Sequence, residues 1–238
     1  MIKIKLNYSN STFTLLRKIC RKLNLTKFLQ PFFYDSGYEK KVNEAIQYSV
    51  KQGDIVWNIG ANIGTYTSIF SYLVGKKGKV YAFEPHPKTF EELNFSKSNN
   101  VIALNFGLSD KRGNLLFSSK EGSKDSSEYN SIVNEEYAGK TITARIETAD
   151  YIFKSQVADI PNFIKIDVEG FELFVLRGMN LLLKNTTLRN LIIEVHHSLM
   201  DDLKIPNGPK QIVTQLEMNN FKVDWIDPSH ILASRKSS

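Results

Sequence analysis

Four short stretches of this chain concentrate residue types that do chemistry. Phe163-Ile-Lys165-Ile-Asp167-Val-Glu169-Gly170-Phe-Glu172 closes an apolar run with carboxylates on alternate positions, and Glu194-Val-His196-His197 closes the next such run with an acid and two imidazoles. If both runs are strands, Asp167 and Glu169 point to one side at a strand's carboxyl end, where open α/β sheets bind ligands. Acids and imidazoles on neighbouring strand ends can move a proton or hold a metal ion. Lys165, inside a strand, needs a carboxylate partner, and Asp167 or Glu194 could supply it. A third stretch, Asn58-Ile-Gly60-Ala-Asn62-Ile-Gly64, sits where a strand gives way to a helix. Glycine at 60 frees the backbone to approach a ligand, and the helix that follows begins with unpaired N–H groups. The fourth feature is Glu84, which ends the next strand 24 residues after Gly60. That is close to the spacing at which nucleotide-binding folds set an acid on ribose hydroxyls. The plain alternative is a solvated carboxylate beside a tight turn.

These residues need elements to position them, and the pattern of apolar residues supplies them. Tyr38 to Lys51 reads as a helix with Val42, Ala45, Ile46 and Val50 on one face, stopped by Gly53. Asp54 to Ile59 is a buried strand, Thr65 to Val74 a helix, Lys79 to Phe83 a strand, Pro87 to Lys97 a helix and Val101 to Phe106 a strand. A polar loop is expected over Ser118 to Asn130, then a short strand from Thr141 to Arg145. The alternation resumes with a strand Phe163–Val168, a helix Glu172–Lys184, a strand Leu191–His196 and a helix from Pro209 to Met218. The last two strands, Phe221–Ile226 and His230–Ser234, are separated only by Asp227-Pro228-Ser229. So short a connection cannot hold a parallel crossover, and the pair must be antiparallel. The reading is one α/β domain, residues 38–238, behind an N-terminal extension, residues 1–37.

Charge separates the two parts. Of 238 residues, 31 are Lys or Arg and 25 are Asp or Glu; seven of the basic residues and no acidic one precede Asp35, leaving 24 against 25 in the rest. A nearly neutral domain lacks the basic face that phosphate contacts require, so a nucleic-acid partner is not expected. In the arm, Phe13, Leu16, Ile19, Cys20 and Leu23 recur at helical spacing among Arg17, Lys18, Arg21 and Lys22. Such a basic amphipathic helix docks its apolar stripe on a protein core or, through residues 12–29, makes a peripheral contact with an anionic membrane. The lone Cys20 excludes an intramolecular disulfide framework and points to a reducing, cytoplasmic location. No apolar run reaches the roughly 18 residues of a membrane span, and Arg17 and Lys18 interrupt the first one before it can serve as a signal sequence.

Together these stretches resemble the FkbM-type family of class I S-adenosylmethionine-dependent methyltransferases. The resemblance covers about residues 38–234 and rests on Asp54-Ile-Val-Trp-Asn-Ile-Gly-Ala-Asn-Ile-Gly-Thr-Tyr, Val80-Tyr-Ala-Phe-Glu-Pro-His-Pro, Asn105-Phe-Gly-Leu-Ser-Asp110 and Ile164-Lys-Ile-Asp-Val-Glu-Gly-Phe-Glu. It implies a Rossmann-like, doubly wound α/β fold with a mostly parallel seven-stranded sheet closed by a C-terminal antiparallel strand pair. It implies S-adenosylmethionine as cofactor, with Asn58, Gly60, Ala61, Asn62 and Gly64 beside its methionine part. Glu84 and Pro85 would lie at the ribose, and Leu108 and Ser109 near the adenine. Asn58 departs from the aspartate usual in the family, so the bond it would accept from the cofactor's ammonium lacks charge assistance.

The implied reaction is methyl transfer to a hydroxyl oxygen of a small molecule or glycan. Asp167 is the first choice for the base or for orienting it, followed by Glu169 and His196. A metal held by Asp167, Glu169 and Glu194 is the alternative way to acidify a hydroxyl, although no metal site is assigned. Two rivals stand beside this reading. One is an NAD-binding Rossmann oxidoreductase, disfavoured by Asn62 where a second glycine is expected and by the closing strand pair; the other is a methyltransferase fold that only binds.

Overall fold

A computed structural model describes residues 37–118, 132–133 and 141–236. The basic helix expected within residues 12–29 lies outside them, as does nearly all of the polar loop Ser118–Asn130. The chain divides into Met1–Lys40 and Lys41–Ser238, and every element after the first turn of helix α1 (Gly37–Ser49) belongs to the second unit. Among the described residues no helix is long and apolar enough to cross a membrane.

Alternating strand and helix patterns fold into a central sheet as the sequence predicts. β1 (Ile55–Ile59), β2 (Lys79–Phe83) and β3 (Val101–Leu104) run parallel, linked by α2 (Thr65–Val74) and α3 (Pro87–Ser96). β8 (Phe163–Ile166) and β9 (Asn190–Glu194) extend the sheet on the other side of β1, also parallel. The hairpin β10 (Phe221–Trp225) and β11 (His230–Arg235) closes it, with β11 antiparallel to both β10 and β9. The order is β10-β11-β9-β8-β1-β2-β3. Both faces are covered, as parallel strands of this kind require. Val56, Val80 and Phe163 pack with α1, α2 and α3 on one face. On the other, Trp57, Ile59, Phe83 and Ile166 pack with Leu173 and Leu176 of α5 (Glu172–Arg177), Leu182 of α6 (Asn180–Lys184) and Ile212 of α8 (Gly208–Met218).

Several details differ from the sequence expectations. Val101–Phe106 is not one strand: β3 stops at Leu104, and Gly107–Leu108 becomes β4 in a second, four-stranded sheet with order β4-β7-β5-β6. That sheet contains β5 (Gly113–Ser118), β6 (Ile132–Val133) and β7 (Thr141–Glu147), of which only part of β7 was expected. The helix expected over Glu172–Lys184 breaks at Gly178, where a Cβ would stand 2.0 Å from the Ser109 carbonyl oxygen; the chain there must stay thin to let the Ser109 backbone pass. Two short helices were not foreseen, α4 (Ala149–Lys154), capped by Thr148 Oγ1 accepting from the Tyr151 amide at 3.1 Å, and α7 (His197–Asp202). Finally, β8 ends at Ile166, so Asp167 and Glu169 do not share a face by strand alternation. A turn brings them together instead, with Glu169 in the left-handed region at φ 51°.

Candidate active site

The strand registers set the carboxyl ends of β2, β1, β8 and β9 side by side. Ile59 pairs with Phe83 on one flank and Ile166 on the other, and Ile166 pairs with Ile193. Every chemically loaded stretch of the sequence therefore opens on one edge of the sheet.

After β1 the chain turns through three left-handed residues, Gly60 (φ 81°), Asn62 (φ 49°) and Gly64 (φ 93°). The amides of Gly60 and Ala61 both donate to the Phe83 carbonyl, at 3.1 and 2.9 Å, pinning the turn to the end of β2. Gly60 is needed for a reason the sequence did not reveal: a Cβ there would lie 1.7 Å from the Asp167 carbonyl oxygen. The close approach is between two parts of the protein. Glu84, buried at the end of β2, accepts from the Asn62 amide at 2.8 Å through Oε2 and from the His86 amide at 2.9 Å through Oε1. Burial pushes its pKa up to about 7, against the pull of those two amides. Gly107 packs beside Pro85, which sets β4, with the buried Leu108 and Ser109 after it, against the Glu84–Pro85 turn.

Asn58, 1% exposed, gives its amide N–H to Thr67 Oγ1 at 2.9 Å. Its Oδ1 is buried with no hydrogen-bond partner among the described residues. An aspartate could not donate to Thr67, so the amide fixes which atom of this side chain is left open, and that atom is an acceptor. A buried acceptor without a partner costs on the order of 1–3 kcal/mol. It suits an ammonium donor such as that of a bound amino-acid moiety. Each Glu84 oxygen, holding one amide, likewise retains lone-pair capacity for a hydroxyl.

On the other side of the turn is a cluster of acids and imidazoles. Lys165, 1% exposed, reaches Asp167 Oδ2 at 2.7 Å and lies 4.3 Å from the centroid of the Tyr66 ring. Burial would raise the Asp167 pKa, but the Lys165 ammonium, helped by His196 and His230, holds it below the usual carboxylate range. His196 donates from Nδ1 to Glu172 Oε1 at 2.7 Å, and Glu172 is fully buried. This bond leaves Nε2 of His196 facing three carboxylates, Glu169 at 3.4 Å, Asp167 at 3.8 Å and Glu194 at 3.9 Å. Burial lowers the imidazole's proton affinity, yet the Glu172 bond and the surrounding acids outweigh it and push the pKa up to about 9. For Glu169, burial and its acidic neighbours raise the pKa despite His196. Asp167, Glu169 and His196 offer ligand atoms all within 4.8 Å of one another.

All three residues named as catalytic candidates thus converge in space. Sequence reasoning gave no role to Glu172, although it stood in the quoted motif, because its partner lies 24 residues away across a strand–helix–strand path. In the sequence, His230 and Asp227 signal only a strand start and a turn.

The strand order, with one reversed strand next to the edge, and a glycine turn followed by an acid at the end of the next strand define the class I S-adenosylmethionine-dependent methyltransferase architecture. A model of the methyltransferase FkbM domain matches residues 58–223, well over half of the chain, which therefore belongs to the FkbM methyltransferase family. The hexuronic acid methyltransferase AglP of Haloferax volcanii is 33% identical over 161 residues, 66% of this chain and 62% of that protein, so the chain spans less than two thirds of this relative's length. The crystal structure of a methyltransferase FkbM from Methylobacillus flagellatus KT matches with a TM-score of 0.50 at 14% identity, covering 96% of this chain and 72% of that one. It is a likeness of fold. The family's methyl donor is S-adenosylmethionine, and the open Asn58 acceptor and the Glu84 carboxylate fit it.

Proposed function

We propose that this chain transfers a methyl group from S-adenosylmethionine to a hydroxyl oxygen of a sugar, with His196 as the base. The observation that carries the reading is the Glu172–His196 pair: a buried carboxylate fixes one ring nitrogen and leaves the other aimed into the site. A sugar hydroxyl is a poor nucleophile until its proton leaves, and a positioned base contributes about 10²- to 10⁴-fold. His196 would take that proton at Nε2, and Glu172 would stabilise the imidazolium that results. Asp167, already paired with Lys165, suits a charged orienting role better than that of base. When bound, S-adenosylmethionine supplies an electrophilic methyl group. Asn58 Oδ1 would accept from its ammonium, the turn from Gly60 to Gly64 would flank its methionine part, and Glu84 would accept from its ribose hydroxyls. Leu108 and Ser109 would face the adenine. The name of the AglP relative supports an acidic sugar as the first acceptor to try.

The family match sets aside the oxidoreductase rival; a binding-only protein is separated from an enzyme by turnover. Calorimetric titration should show S-adenosylhomocysteine binding to the chain and NAD failing to bind. Glu84→Ala is expected to weaken S-adenosylhomocysteine by about 100-fold, since two bonds from hydroxyls to a charged acceptor are worth roughly 3 kcal/mol together. Binding to Glu84 requires the ionised carboxylate, so affinity should fall as pH drops below about 7. Affinity unchanged in Glu84→Ala would remove Glu84 from the cofactor site.

A second reading is favoured by one observation, the clustering of Asp167, Glu169 and His196 donor atoms. A divalent cation there would acidify the hydroxyl in place of His196. Turnover that survives EDTA supports the base; turnover abolished by EDTA and restored by Mg²⁺ or Mn²⁺ supports the cation.

The basic arm within residues 12–29 is proposed to bring the enzyme to an anionic membrane, in keeping with a lipid-linked acceptor. In liposome flotation the full chain should partition with anionic vesicles and a chain starting at Tyr38 should not. Equal partitioning would leave the arm without this role.

A further inference from the structure

The hairpin that closes the sheet carries a second carboxylate–imidazole–carboxylate chain, separate from Glu172–His196 and unused by the mechanism above. His230 opens β11 in register with Glu194, the last residue of β9. Its side chain is 4% exposed, with Nε2 3.4 Å from Glu194 Oε2 and Nδ1 hydrogen-bonded to Asp227 Oδ1 at 3.1 Å. Ser229 Oγ also stands 3.1 Å from Nδ1. Asp227 Oδ1 accepts the amides of Ser229 and His230, at 2.8 and 2.9 Å, and the Val195 amide donates to the Ser229 carbonyl at 2.7 Å. The tip of the hairpin is thus bound to itself and to the chain just after Glu194.

A buried imidazole with a carboxylate on each nitrogen is satisfied as the cation, and in that state it holds both acids in fixed orientations. Burial works against the charge, but the Glu194 and Asp227 partners outweigh it and raise the pKa of His230. Asp167 adds its field from the site side. The consequence falls on Glu194. One oxygen, Oε2, stands 3.4 Å from the His230 ring as an ion-pair partner, while the other, 3.9 Å from His196 Nε2, faces the site with the side chain 28% exposed. An acceptor oxygen bound at His196 would therefore leave a neighbouring oxygen of the same molecule beside Glu194.

We infer that Glu194 binds a second hydroxyl of the acceptor, next to the one that is methylated, and that His230 with Asp227 is the device that positions it. The acceptor class is then a vicinal diol or polyol rather than an isolated alcohol. A carboxylate already held in its binding rotamer loses little freedom when the hydroxyl arrives. The inference rests on the sugar-hydroxyl reading, and its test separates the two.

The probes are methyl β-D-glucuronopyranoside and the set of its analogues in which each ring hydroxyl in turn is replaced by hydrogen. His230→Gln, which keeps a neutral donor but loses the charge and the ring geometry, is expected to raise the KM for the parent glucuronoside about tenfold, with the loss falling on KM rather than kcat. On one deoxy analogue, wild type and His230→Gln should have equal KM, because the hydroxyl that Glu194 reads is already gone. A penalty of the same size on every analogue, or a loss confined to kcat, would overturn the inference. NMR supplies a readout that needs no acceptor: the His230 ring Nε2–H should appear as a downfield, slowly exchanging signal in wild type and vanish in Glu194→Ala. If no probe is methylated, the sugar-hydroxyl reading fails, and this signal alone decides whether His230 holds Glu194. Its absence from wild type would overturn the positioning role.

Discussion

Replacing His196 with asparagine is expected to lower kcat by about 10²- to 10⁴-fold while leaving the affinity for S-adenosylhomocysteine unchanged. Asparagine is the informative substitution because its amide can still donate to Glu172, as His196 Nδ1 does at 2.7 Å. Alanine would leave the fully buried Glu172 carboxylate with only the Gly170 amide, at 2.9 Å, and confuse loss of chemistry with loss of fold. The pH dependence gives a second handle. A base must be neutral to act, and the His196 pKa lies at about 9, so kcat/KM in wild type should rise with pH up to that range. Glu172→Gln removes the charge that favours the imidazolium, and the rising limb should move down toward the ordinary imidazole value of about 6.5. A limb that stays in place in Glu172→Gln, or full kcat in His196→Asn, would mean that another group takes the proton, with Asp167 and Glu169 the next to test.

Gly60→Ala should be the most damaging single methyl group in the site. The added carbon would lie 1.7 Å from the Asp167 carbonyl oxygen, 2.8 Å from its carbonyl carbon and 3.3 Å from Val168 Cγ1, at a backbone φ of 81°. The left-handed backbone costs a side chain about 1–2 kcal/mol, and forcing an extra carbon into packed structure adds roughly 1–3 kcal/mol. Gly53→Ala is the matched control, since Gly53 has φ 84° but nothing among the described residues within 4 Å of its would-be Cβ. Both variants bear the backbone cost and only Gly60→Ala bears the collision. At about 2–4 °C per kcal/mol for a domain of this size, Gly60→Ala should melt about 2–12 °C below Gly53→Ala, measured by circular dichroism. Relief of the clash would push Asp167 away from Lys165 and His196, so residual activity should fall as well. Equal melting temperatures would show that the turn and the β8 end can separate without cost.

Much of the central sheet could be read from the chain because its signals are local. Apolar runs such as Ile55–Ile59 and Phe163–Ile166 are buried on both faces, end in glycines or charged residues and alternate with helix-period segments. The reversed last strand followed from a three-residue connection. The second sheet was harder to see, since β4 and β6 have only two residues each and β7 buries only Ala144, Ile146 and Glu147. Gly178 reads as an ordinary helical glycine until the Ser109 backbone that crosses it is known. The site was partly legible for the same reason. Asp167, Glu169 and His196 announce themselves at the ends of apolar runs, whereas the partners that orient them are contacts made only in the fold. Glu172 bonds to His196 from the start of α5, and His230 reaches Glu194 from a strand that pairs in reverse.

The proposed reaction is deprotonation of a sugar hydroxyl and methylation of its oxygen. Its most direct test offers the full chain tritium-labelled S-adenosylmethionine with methyl β-D-glucuronopyranoside, which presents both hydroxyls and a carboxylate. It then asks whether the transferred label survives mild alkali. A carboxylate is ionised before it binds and needs no base, so the Glu172–His196 pair would be idle in ester formation. The expected product is an alkali-stable ether, formed in wild type and lost in His196→Asn. An alkali-labile ester, or no transfer at all, would contradict it.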